Sequence, residues 1–219
     1  MQFRTQCNLA STARVSTVSS EVPQTLRERK REQTRQRIIA AGVELFATKG
    51  YDETTVADIA AAADIGTRTF FGYFESKDAL LFGAGSDRID IAVSTIQAAD
   101  ADEDPARVLL RGLDAAAKAT DDDFVSDRAV LRLRLVGSVP AVRARGALAQ
   151  LTAIQAISEA LTVRFTKLDA HHAAGLAGAF VGASSAATQA VLLETQHNTP
   201  EKRAARIRSA VAMGLGIKD

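Results

Sequence analysis

Cysteine occurs once in the 219 residues, at Cys7, so the chain closes no internal disulfide and carries no cysteine-ligated metal cluster. Tryptophan is absent and tyrosine is confined to Tyr51 and Tyr73, which counts against a pocket built on stacked aromatic rings. There are four prolines, and no stretch alternates polar and apolar residues with period two, so the sequence gives no basis for a sheet. An excess of one charge is missing as well. The 27 Lys and Arg nearly balance 26 Asp and Glu, leaving +1, so any nucleic-acid binding must come from a local patch. The first twenty residues include Arg4 and Arg14 but no apolar core of signal-peptide length. No Gly-x-Ser-x-Gly nucleophile motif and no phosphate-cradling glycine loop occurs. His171 and His172 are adjacent and so point to different sides of a helix, and His197 is remote in sequence, which presents no two-ligand metal face. Neither a cofactor nor a metal is expected. The near-absence of cysteine fits a reducing cytoplasm.

What is present reads as helix. Apolar residues make up 47% and charged residues 24%, the balance of a soluble globular protein, and Ala, Leu, Arg and Glu dominate after Glu21. Residues 1–26 read as a disordered tail. A first helix is expected over about 31–49, with Ile38, Gly42, Leu45 and Phe46 on one face and Gly50 as its left-handed stop. Thr55 with Asp58 three residues on is a capping box for a second helix whose buried stripe is Val56, Ile59, Ala60 and Ala63. Asp64 and Ile65 make a turn. A third helix over about 66–73 turns Phe70 and Phe74 inward, and Ser76 caps a fourth through Phe82. Further helices are expected over about 87–99, from Pro105 after the Asp104 cap, over 125–136, 140–167 and 169–196, and from Thr199-Pro200 to about 214. Residues 173–193 carry no charge, yet their Ala, Gly and Ser content suits a buried interface helix better than a membrane span.

The segment 54–77 carries the chemistry. Two short helices joined by a tight turn hold the second at a fixed angle, so that its first residues enter the major groove, about 12 Å wide. Ala60, Ala61 and Ala63 supply the small residues such a crossing needs. Thr67, Arg68 and Thr69 supply short polar groups and one long donor, and Arg68 suits bidentate contact with a guanine. The N-terminal end of the second helix at Thr55, the Tyr73 hydroxyl and Lys77 are placed to hold phosphates. Residues 27–37 hold six basic and two acidic side chains, a local +4, and Arg29, Lys30 and Arg31 are expected to follow the DNA backbone or reach a minor groove.

Residues 31–82 resemble the DNA-binding domain of TetR-family transcriptional regulators. The likeness rests on IIAAGVELF (38–46), Gly50-Tyr51 with Thr54-Thr55-Val56, Asp58-Ile59-Ala60, Thr69 to Phe74, and Ser76 to Leu80. Asp64 stands where that family has a turn glycine, Gly66 where it has a Ser cap, and Phe71-Gly72 where it has an aromatic hydroxyl and a polar or basic residue. The resemblance implies an all-α homodimer. Its N-terminal three-helix domain (27–83, helix-turn-helix about 55–74) would read a palindromic operator. Its C-terminal domain (84–219) would bind a small effector and dimerise through two long final helices, and the effector would move the fourth helix and release DNA. The segment 132–145 also resembles an actinobacterial-type branch. A cytoplasmic bacterial repressor, on the nucleoid when bound to its operator, is the function so implied.

In the C-terminal part, Ile89, Val93, Leu109, Leu113, Phe124, Leu131, Leu135, Ile154, Ile157 and Leu161 fall on inward faces. Of these, Val93, Leu109, Leu113, Phe124, Leu131, Leu135, Ile154 and Ile157 are taken as walls of an aliphatic effector pocket. Gly175, Gly178, Gly182 and Ala186 form a small-residue stripe assigned to the dimer seam. Two other readings stand beside the regulator. One is a non-specific DNA-binding scaffold, separated by equal affinity for random and operator DNA. The other is an all-helical enzyme, for which the sequence supplies no acid, base or nucleophile cluster.

Overall fold

The computed structural model describes residues 25–82, 85–119, 126–194 and 199–217. Among these, every regular element is helical: α1 (Leu26–Thr48), α2 (Val56–Ala62), α3 (Thr67–Phe71), a 3-10 turn (Asp78–Leu81), α4 (Gly85–Gln97), α5 (Pro105–Ala119), α6 (Asp127–Ser138), α7 (Pro140–Arg164), α8 (Ala170–Leu193) and α9 (Pro200–Gly214). Cys7, Phe124, His197 and the expected tail as far as residue 24 lie outside the described residues.

Local chemistry sets most boundaries. Residues 25 and 26, expected in the tail, are the cap and first residue of α1. Thr25 caps α1 by accepting from the Glu28 N–H (3.2 Å) while Glu28 accepts from the Thr25 N–H (2.7 Å), so the helix starts at Leu26 rather than near 31. Gly50 ends it at φ +94°, a conformation only glycine enters at little cost. Thr55 and Asp58 make the same reciprocal cap on α2. Asp64, at φ +52°, is the one non-glycine with positive φ among the described residues, and Asp tolerates that region better than most side chains. Asp104 caps α5 through the Ala106 N–H, behind Pro105 at the first helical position. Thr199 and Pro200 do the same for α9. The helix expected from Ser76 through Phe82 is instead the single 3-10 turn, and α4 begins beyond it.

The Asp58 cap has a pH consequence. The Lys49 ammonium donates to Asp58 Oδ2 (2.7 Å), and the Thr55 N–H and hydroxyl add to it, which together hold the carboxyl well below its ordinary 3.8. A depressed folded value stabilises the fold above the unfolded value and is lost as pH falls through the folded one. Asp58→Asn is therefore expected to lower Tm near neutrality, and the gap from the unmodified protein should narrow steadily as pH falls from about 5 toward 1. Thermal melts across that range check it, and a gap independent of pH sinks the assignment.

Two cores form. The first gathers Ile38, Ile39, Phe46, Tyr51, Ile59, Ala60, Ala63, Phe70, Phe74, Leu80 and Leu81, and it also takes in Leu131, Leu135, Val139 and Val142 from α6 and α7. The N-terminal helices are thus seated on the C-terminal part by shared apolar burial. Gly42 lies against Leu80 and Ile59, where a Cβ would meet the Leu80 side chain, and this close approach lets α1 cross the 3-10 turn. The second core joins α4, α5, α7, α8 and α9 around Ile96, Leu109, Ile157, Leu161, Phe180 and Val211. Helix α8 is long and apolar enough to cross a membrane by length and composition, with a mean hydropathy of 1.5 over its most apolar window. Only 22% of that window is buried within one chain. The Cβ that Gly214 lacks would meet Ala183 Cβ at 2.9 Å, so α9 runs tight against α8.

Candidate nucleic-acid interface

The recognition element is built from the inside out. Phe70 is fully buried and Phe74 nearly so, and their rings pack at 5.9 Å, pinning α3 to α1 and α2. Fixing those two side chains inward turns Thr67, Arg68 and Thr69 outward. All three are exposed, and their side chains meet no partner among the described residues. Ala60 and Ala63 are buried at the helix crossing as expected, whereas Ala61 is exposed and takes no part in it.

The basic segment is helix and not a loose arm. Arg29 and Lys30 are exposed in the first turns of α1. Further along the same helix, the Arg31 guanidinium lies over the Tyr73 ring and that of Arg35 over Phe74, both at 5.6 Å from the centroid. Tyr73, expected to hold a phosphate, is half-buried with this cation against its face.

Two expected phosphate contacts are placed differently. The Thr55 N–H and hydroxyl both donate to Asp58 Oδ2, at 2.9 and 2.8 Å, so the cap consumes them and puts a carboxylate where a phosphate was expected. Lys77 is turned inward. Its ammonium donates to the carbonyls of Tyr51 (2.6 Å) and Thr54 (2.9 Å), with Asp52 O at 3.5 Å, and lies 4.2 Å from the centre of the Tyr51 ring. Burial, then the charges of Asp78 and Asp52, push the Tyr51 hydroxyl up to about 12, so this ring stays protonated beside the cation, although Arg145 acts the other way. Lys77 thus ties the turn before α2 to the segment after α3. Lys77→Ala is expected to cost about 1.5–3 kcal/mol of stability, the worth of hydrogen bonds to a charged group. Denaturant unfolding checks this. An unchanged midpoint with a shallower salt dependence of DNA binding would return Lys77 to a phosphate.

Behind the interface lies a cavity of about 670 Å³ between α4 to α8. Of the expected walls, Leu113 and Ile157 line it, as does Ile89. Leu109 is fully buried core, and Val93 and Ile154 pack on that core. Leu131 and Leu135 are corrections: they belong to the core shared with the N-terminal helices, and Leu133, between them on α6, faces the cavity instead. The cavity also has polar lining that periodicity did not disclose, with Arg88, Arg132, Arg143 and Arg145 beside Ser184 and Thr188 among the residues around it. The only trace of it in the sequence is arginine set into the apolar stretch 131–145. Arg145 Nε donates to Asp78 Oδ2 (2.6 Å), and its Nη2 pairs with Glu75 and lies 3.4 Å from Ser76 Oγ. Arg132 Nη1 donates to Leu81 O (3.1 Å) and its guanidinium stands over the Phe82 ring.

On α8, Gly175, Gly182 and Ala186 are exposed and Gly178 is half-buried. His171 and His172 are exposed at the start of α8, and His172 Nδ1 lies 2.8 Å from Asp169 Oδ2.

Residues 38–84 match the family described as bacterial regulatory proteins, tetR family. The HTH-type transcriptional regulator TcmR of Streptomyces glaucescens is 34% identical over 100 residues, 46% of this chain and 44% of that protein. The match therefore spans less than half of the relative's length. The fold as a whole is similar to Thermus thermophilus FadR, a TetR-family repressor crystallised with lauroyl-CoA (21% identity, TM-score 0.51, 84% of this chain and 95% of that one). It is also similar to the fatty acid degradation regulator FadR of Bacillus halodurans (19% identity, TM-score 0.54, 84% and 95%).

Proposed function

We infer that this chain, which carries a TetR-family DNA-binding domain at residues 38–84, is a transcriptional regulator that binds duplex DNA through that domain. The observation that carries the reading is the outward display of Thr67, Arg68 and Thr69 on a five-residue helix locked by Phe70 and Phe74. A helix so short and so firmly held is suited to groove entry. In the reading proposed here, Arg68 contacts a base, and Arg29, Lys30 and Tyr73 contact the backbone. Two copies join through the Gly175, Gly178, Gly182 and Ala186 face of α8. Such a dimer calls for a palindromic operator with half-sites about 34–36 Å apart. The protein works in the bacterial cytoplasm, as a repressor, and its relatives being regulators supports a binding protein in place of an enzyme.

The cavity is the effector site of this reading. Its volume falls in the range of small-molecule sites, about 300–1,000 Å³. Its lining is mostly aliphatic, which favours an apolar, acyl-like effector, and the lauroyl-CoA held by the Thermus regulator makes an acyl chain one concrete candidate. Linkage requires that an effector which weakens operator binding is itself weakened by operator, by the same factor. Segment 75–82, between α3 and α4, is the proposed moving part.

Selection of bound sequences from a random duplex pool at physiological salt tests the reading. A single palindromic consensus is expected. No enrichment, with binding that vanishes as salt rises, would reduce the protein to a backbone-binding scaffold.

A further inference from the structure

The proposal below rests on the cavity being an effector site. Its lining includes both arginines and hydroxyls. Ser184 Oγ and Thr188 Oγ1 are buried one turn apart on α8 and meet no hydrogen-bond partner among the described residues. Buried hydroxyls without partners cost free energy, and both residues line the cavity, where a rotated hydroxyl would find an occupant within reach. The Gln150 Nε2 to Ser185 Oγ bond (2.7 Å) fixes α8 against α7 at this level. Gln150 is five residues along α7 from Arg145, about 7.5 Å of helix. The two long helices are joined by a short loop and run antiparallel, so Thr188 lies further toward the level of Arg145 than Ser184 does. All three residues line the same cavity, and of the two hydroxyl residues Thr188 is the nearer to Arg145 along the helix axes. Arg88, Arg132 and Arg143 also line the cavity, and among the described residues no Asp or Glu does.

Arg145 belongs to two places at once. It lines the cavity, and it also grips the DNA-binding domain at Glu75, Ser76 and Asp78, immediately after α3. We propose that the cavity binds an amphiphile with an acidic head group, whose anion competes with Asp78 and Glu75 for the Arg145 guanidinium and so loosens the hold of the C-terminal domain on the recognition helices. The apolar body lies against side chains such as Leu113, Ile157 and Phe180. The head accepts from Arg145 and from the Ser184 and Thr188 hydroxyls, which supplies the partner those two hydroxyls lack. A guanidinium offers five N–H donors in a planar fork, so a second carboxylate or phosphate oxygen pair can displace the first. Releasing the grip weakens the seat of α3 without touching its groove-facing residues.

Calorimetric titration of the full chain with straight-chain carboxylates of about six to sixteen carbons, each beside the primary alcohol of equal length, tests this. At the best length the acid is expected to bind at least about tenfold tighter than the alcohol. Arg145→Gln should erase that difference. Asp78→Asn removes the competing anion and should tighten acid binding several-fold while leaving the alcohol unchanged, an outcome that mere loss of structure does not produce. Glu75→Gln, at an exposed side chain, should act in the same direction where Asp78→Asn fails to fold. Equal affinity for acid and alcohol, or no binding by any acid in the series, overturns the proposal. A chain that selects a palindrome yet ignores the acids keeps the regulator reading and loses this one.

Discussion

Arg68→Ala is expected to flatten base preference while leaving the protein folded. The side chain is exposed on α3 and contributes to neither core, so its removal exposes no apolar surface. Its neighbours fix what it can do. Phe70 and Phe74 anchor α3 by their buried rings, so in the proposed complex the guanidinium would be carried to one height in the groove. An arginine held in that way suits the paired acceptors of guanine, a contact worth about 1–3 kcal/mol of discrimination, or about 5–150-fold per half-site. The loss should fall on one base position in each half-site of the selected consensus. Binding to unrelated duplex should weaken only by the small amount that one lost charge brings. Titrating the consensus and single-base variants with both proteins separates the outcomes. If Arg68→Ala lowers affinity for all sequences alike and leaves the preference intact, Arg68 is a phosphate contact and the base-reading side chain lies elsewhere, with Thr67 and Thr69 next in line.

What the sequence disclosed about the fold follows the range of the interactions. Gly50, the Thr55–Asp58 box, Asp104-Pro105 and Thr199-Pro200 were legible because a cap is settled within three or four residues. Phe70 and Phe74 were legible from their spacing of four. The start of α1 was missed because Thr25 and Glu28 stand ahead of a wholly exposed stretch, where no apolar period marks helix. Lys77 was expected to face a phosphate, and its inward carbonyl acceptors were not legible because they lie 26 and 23 residues back, where only the tertiary fold brings them to it. The Arg145 contacts with Asp78 and Glu75, 67 and 70 residues back, left no signal in the sequence for the same reason. Leu131 and Leu135 were given to the cavity because periodicity tells inward from outward but cannot say which of two cores an inward face meets. The arginines and hydroxyls of the cavity were invisible for a related reason, since a polar residue on an inward face reads as an interruption until its neighbours are known.

Ala186→Arg is expected to split the proposed dimer and with it most of the operator affinity. Helix α8 has the hydropathy of a membrane-crossing helix, yet only 22% of its apolar window is fully buried in a single chain. Gly175, Gly182 and Ala186 lie on its open side, and a Cβ added at Gly175, Gly178 or Gly182 would meet nothing within 4 Å beyond the local backbone of α8 itself. Met213 is also open, 78% exposed near the end of α9, the helix packed on α8. A second copy of the same pair would cover this surface as a four-helix arrangement, with the small residues allowing close approach. An arginine at position 186 would place two guanidiniums against each other near the two-fold axis, where they repel and lose water without gaining a partner. The exposed site costs the single chain little, so helical content should not change. Light scattering should report a monomer. Operator binding should fall by about 100-fold or more, because the second half-site no longer arrives tethered to the first. Binding to random duplex, which needs only one domain, should fall far less. A variant that stays dimeric with unchanged operator affinity would place the interface on another face and leave the open side of α8 without its proposed occupant.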